Sequence, residues 1–249
     1  MSGPIDRTVM WLTWRQLFAR RRLWLAIVFA LAPLLFTLVF RVVGDDGPES
    51  RLAFFGGLDR DVVVGTLLPL AALLFGSTAF GGELDDGTLV YLLLKPVPRW
   101  KVLASKLVVA VLSTLAVVAP AVLLPWLVLG DSDVSGRAML ACLAGAAAGA
   151  AIYVAIFVAL GLANRRALVI GLLYIIAFEG LLSRTVSGLR SFSVREFSLS
   201  LTKAAGAATI VSGDTVSTAT VWWMGTIMLV GAVYWSFRRL VHYEVAERA

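Results

Sequence analysis

Cysteine and histidine are nearly absent from this sequence. Cys142 and His242 are single occurrences in 249 residues. One cysteine allows neither an internal disulfide nor a CxxC thiolate cage. One histidine argues against a His-rich metal site and against an ordinary Ser-His-Asp triad. Charge is scarce as well: 15% of the residues are Asp, Glu, Lys or Arg, against about a quarter in soluble domains. No GxxxxGK[ST] string occurs, and the glycines of AGAAAGAA have no Lys-Ser/Thr after them. The chain therefore lacks the P-loop whose backbone N–H groups cradle a nucleotide phosphate. Without HExxH, a paired-aspartate motif or a usable histidine, an intramembrane enzyme has no chemistry to draw on.

Apolar residues are abundant. They make up 59% of the chain, and the mean hydropathy is +0.88. A soluble chain of this composition would lack polar surface to cover its core, so the composition implies an integral membrane protein. The net charge of +6 does not point to nucleic acid, because the cations sit beside apolar spans and form no basic face with aromatics.

A bilayer core of roughly 30 Å needs about 20 apolar residues in a helix. Six stretches qualify, at about 23–43, 62–82, 102–129, 137–163, 166–183 and 219–238. The sequence therefore predicts an all-α polytopic membrane protein, with residues 1–249 forming a single transmembrane domain. The first span follows Arg7, Arg15, Arg20, Arg21 and Arg22 and ends in no small-residue cleavage pattern, so it reads as a span and not as a removed leader. With six spans both termini share one side. That side collects fourteen cations and the other eight. The positive-inside rule makes the richer side cytoplasmic. The excess of arginine over lysine points to a GC-rich bacterial genome, and hence to a bacterial plasma membrane.

Residues 5–20 place Trp11, Trp14, Leu17 and Phe18 at helical spacing among arginines, which predicts an amphipathic helix lying along the inner membrane face. The loop 184–218 contains SFSVREFSLSL; an isolated strand beside a membrane has no partner, so a short, partly embedded outer helix is expected. Gly145 and Gly149 form a GxxxG in span four, which predicts tight packing within the subunit, with dimer contact as the lesser option.

The connector between spans two and three reads ELDDGTLVYLLLKPVPRWK over residues 83–101. On the predicted topology it faces the cytosol. Glu83, Asp85 and Asp86 suit a helix start, where the dipole favours negative charge. Leu89, Leu92 and Leu93 form one stripe. Lys95 suits the end, and Pro96 stops the helix. The same residues fit a soluble, well-capped connector with no further role. Carboxylates also bind hard cations, but a dipole-facing acidic turn explains these without metal, and no metal site is expected.

The run E-x-x-x-G-T-L-x-x-L-L-x-x-P-V-x-R-x-x-x-L-x-x-K stands here from Glu83 to Lys106. It resembles the signature of six-span permeases of ABC-type exporters, the ABC type 2 class. The basic N-terminus, the six spans and the embedded segment between spans five and six extend that resemblance along the chain. The resemblance implies that 83–95 is a coupling helix docking in a groove of a separate ATPase. Glu83, Asp85, Asp86, Gly87 and Thr88 would then be its contact residues. It also implies two ATPase subunits carrying ATP-Mg, no cofactor bound by this chain, and a second copy of the chain or a homologous permease. The function so implied is export across the membrane.

Glu179 lies in IIAFEGLL near the end of span five. An intramembrane carboxylate is a functional candidate by default, so the second reading is an ion-driven transporter or channel using Glu179. The alternative is an interfacial carboxylate paired with Arg184 or Arg190. The run Asp59, Arg60 and Asp61 reads as interfacial charge.

Overall fold

The computed structural model describes residues 20–44, 47–85, 98–130, 134–164, 166–182, 192–208 and 218–242. Among these residues there is no strand. The chain is an all-helical, polytopic membrane protein, as composition predicts. We number the α-helices α1 (Arg20–Val43), α2 (Pro48–Gly57), α3 (Leu68–Asp85), α4 (Arg99–Leu129), α5 (Gly136–Ala163), α6 (Ala167–Tyr174), α7 (Val194–Ala204) and α8 (Thr218–His242). Two π-helical stretches interrupt this series, Leu58–Leu67 and Ile175–Leu182. The first joins α2 to α3 without a break; the second continues α6.

Among the described residues three helical paths are long and apolar enough to cross a membrane: Pro48–Gly81, Arg99–Leu129 and Gly136–Ala163. Shorter apolar helices run over Ile27–Val43 and Ala167–Leu181. The second path starts well before the expected position 62, because Pro48 opens α2 at a first-turn position, where its missing N–H is no loss. The helix predicted over 5–20 lies outside the described residues except for Arg20.

Helix α5 is the hub and packs against α3, α4, α7 and α8. Its alanines and glycines let neighbouring backbones approach closely, which is how helices associate where lipid is as apolar as leucine. A Cβ at Gly161 would lie 2.7 Å from the Ser77 carbonyl oxygen. Around this seam Phe75, Phe80, Tyr153 and Phe157 are fully buried. Several hydroxyls inside the helices are satisfied locally. Ser77, Ser113 and Thr114 donate to Leu73, Val109 and Ala110, each four residues back, so these three need no partner from a neighbouring helix. Thr37 does the same to the Pro33 carbonyl. Helix α1 lies along α4, pinned by Arg41 Nη1 donating to the Val128 carbonyl at 2.6 Å.

Candidate functional site

The two ends of the bundle hold different polar arrangements. At one end α3 and α4 approach the connector. Backbone helix continues through Glu83 to Asp85, so both residues occupy the last turn of α3; their side chains lie outside the described residues. Asp86, Gly87 and Thr88 also lie outside them, as does the rest of the connector through Val97. The described chain resumes at Pro98, which is extended and caps α4.

Lys106 and Arg99 tie the helices here. Lys106 of α4 is 1% exposed. Its ammonium donates to the Ala79 carbonyl of α3 and sits 4.4 Å over the Phe80 ring. A buried cation is costly without partners; a carbonyl dipole and a ring face supply them. Arg99 Nη1 donates to the Val241 carbonyl at 2.9 Å, which satisfies an orphan acceptor at the end of α8. Lys101 lies over the exposed Trp100 ring, as suits a membrane interface. The connector is thus flanked by helices that are fastened to one another.

At the other end, helix α7 is sunk into the bundle. Val194, Arg195, Glu196, Ser198, Leu199, Ser200 and Thr202 are all buried, which is deeper than the expected partial embedding. Its start follows from a capping box, Ser193-x-x-Glu196: the Ser193 hydroxyl accepts from the Glu196 N–H at 3.3 Å. Glu179 completes the cap. One carboxylate oxygen accepts from Ser193 Oγ at 2.6 Å and the other from the Val194 N–H at 3.0 Å. Glu179 therefore places negative charge on a helix N-terminus, where donors and dipole both favour it. It is 3% exposed, and Tyr153 of α5 is buried beside it.

Arg195 reaches the first π stretch. Its Nη2 donates to Asp61 at 2.6 Å and to the Arg60 carbonyl at 3.2 Å. Ser198 donates to the Gly145 carbonyl at 2.9 Å. Added Cβ atoms at Gly145 and Gly149 would lie 2.0 Å from Thr202 Oγ1 and Ser198 Oγ. The GxxxG thus packs within the subunit, as expected, and its occupant is α7. Phe197 fills the space over Gly225 of α8.

Asp59 corrects the interfacial reading of its run. It is buried, lies beside Cys142 of α5, and has neither carboxylate oxygen hydrogen-bonded. Asp61 is the exposed member, in the bridge to Arg195. Sequence reasoning missed Arg195, Ser198 and the buried Asp59. The SVRE capping box was the available signal for α7. Nothing local signals the π stretches, whose widened turns set where Asp59 and Asp61 point.

Among the described residues no group of three His, Cys, Asp or Glu side chains is placed to hold a metal ion. The arrangement is mechanical: one end clasps an inserted helix, and the other fastens the helices beside an acidic connector. Residues 17–180 match a family model described as ABC-2 family transporter protein. No curated protein matches the chain.

Proposed function

We propose, since the chain belongs to the ABC-2 family of transporter proteins, that it is the permease subunit through which a separate ATPase drives export. A membrane transport component of an ABC transporter is what the family itself indicates. The finer reading adds that ATP binding closes a partner ATPase pair and that residues 83–95 carry this movement into the helices. The observation that carries it is the joining of α3, α4 and α8 at the connector through Lys106 and Arg99. A push on Glu83 or Asp86 is then a push on three helices at once. In this reading the connector and both termini face the cytoplasm of a bacterial cell, and ATP-Mg stays on the partner. A second permease copy completes the cargo path.

Glu179 is assigned here to holding α7 and not to an ion route, because both its oxygens accept hydrogen bonds from Ser193 and Val194. The test is affinity purification from native membranes with mass spectrometry. A Walker-A ATPase copurifies with the wild type, and Glu83→Lys with Asp86→Lys releases it while membrane insertion stays normal. An ATPase that stays bound to the reversed variant at wild-type levels sinks the docking assignment.

A further inference from the structure

The last turn of α8 carries a cleft of about 280 Å³ lined by Trp235, Arg238, Arg239 and His242. It is not part of the connector contacts or of the α7 clasp. Both arginines and the histidine are exposed. The Arg238 guanidinium lies 5.9 Å over the Tyr234 ring, and His242 Nδ1 sits 2.8 Å from the Arg238 carbonyl oxygen. These contacts hold the two side chains against the helix end.

A helix C-terminus offers only about half a negative charge, and Arg99 already donates to the Val241 carbonyl there. Arg238 and Arg239 together bring two full positive charges, more than the helix end can use. The surplus calls for an anion. The rest of α8 says what the anion is attached to. Trp223, Ile227, Val230 and Tyr234 are all exposed, and their spacing of four, three and four residues makes one apolar stripe. Four residues further along that stripe stands Arg238. An apolar track that ends in a cationic cleft with a tryptophan at its rim matches an amphiphile with an anionic head.

We propose that this cleft binds the headgroup phosphate of an anionic phospholipid, with an acyl chain lying along the stripe from Tyr234 to Trp223. The bidentate geometry of arginine suits phosphate oxygens. His242, whose Nδ1–H donates to the Arg238 carbonyl, walls the cleft beside them. The site serves any leaflet that α8 ends in, so it stands independently of the direction of transport.

The experiment is native mass spectrometry of the full chain in detergent, titrated with phosphatidylglycerol, with phosphatidylcholine of the same acyl chains, and with glycerol phosphate. Phosphatidylglycerol should be retained preferentially. Each cation near an anionic lipid surface contributes a factor of about five, so Arg238→Gln with Arg239→Gln should weaken retention about 30-fold. Arg166→Gln, which removes an exposed cation at the same end of the bundle, should leave it unchanged. If the double variant does not fold, Arg239→Gln alone carries the test with a loss of about fivefold. Equal retention of the two lipids overturns the proposal, and so does unchanged retention in the arginine variants. An equal loss in Arg166→Gln reduces the effect to general surface charge and also overturns it. Displacement of the lipid by equimolar glycerol phosphate assigns the cleft to a free phosphate and removes the lipid from it.

Discussion

The two ends of the bundle are both tied together, but by different chemistry. Around α7 the ties are mostly directional and reciprocal: a carboxylate with two donors, an arginine with a carboxylate and a carbonyl, a serine on a glycine carbonyl. At the connector the ties run from two long cationic side chains to main-chain carbonyls near helix ends. A clasp of the first kind fixes one geometry. A tether of the second kind keeps helices together while the flexible lysine and arginine stems follow a shift. The α7 end is thus tied by several partners that fix one another, and the connector end by fewer, longer side chains.

Three substitutions sharpen or break that contrast. The largest effect is expected from Glu179→Leu. It leaves Ser193 Oγ and the Val194 N–H buried without an acceptor, and each such group costs about 1–3 kcal/mol. A thermal melt of the detergent-purified chain should fall clearly, and a melt within error of wild type would remove Glu179 from the clasp. Lys106→Met comes next. It keeps the stem packed against Phe80 but removes the donor to Ala79. The melt should change less than in Glu179→Leu, while transport in vesicles drops several-fold with the complex intact. If the melt falls as far as in Glu179→Leu, the connector end is a rigid clasp too and the contrast fails. The smallest effect belongs to Asp61→Asn. Asp61 is largely exposed while Arg195 is buried, and the guanidinium keeps the Arg60 carbonyl as an acceptor when the carboxylate is lost, so less is left unsatisfied than in Glu179→Leu. Its melt should stay near wild type at high salt; a loss as large as that of Glu179→Leu would show that this bridge carries the clasp.

Much of this architecture was legible in the sequence, because hydrocarbon permits only helices and closed barrels and apolar runs of about 20 residues have the length of a spanning helix, not of a strand. Glu179 also stood out, as a carboxylate within an apolar run does. Its partner did not, since Ser193 and Val194 lie 14 and 15 residues along the chain and their approach depends on how α7 sinks between α5 and α8. Asp59 misled for a different reason. Three consecutive charged residues resemble a solvated edge, but a π stretch turns its side chains at an interval that alternation and heptad patterns do not anticipate. The connector is the converse case: its acids and prolines are informative in sequence, whereas residues 86–97 lie outside the described structure.

The first π stretch has a consequence at the far end of the same helix. There the Leu68 N–H bonds to the Val63 carbonyl, and the Thr66 hydroxyl to Asp61, each five residues back. Helix α3 then runs unbroken from Leu68 to Asp85. The compass bearing of the last backbone turn of α3 is therefore set at Asp61, across the thickness of the bundle. A residue of helix turns the chain by about 100°. Deleting one residue between Val62 and Leu67 would leave that turn at the same depth, to within a rise of about 1.5 Å, but rotated by about a quarter-turn. Wherever one helix end is to meet another surface, bearing matters as much as charge.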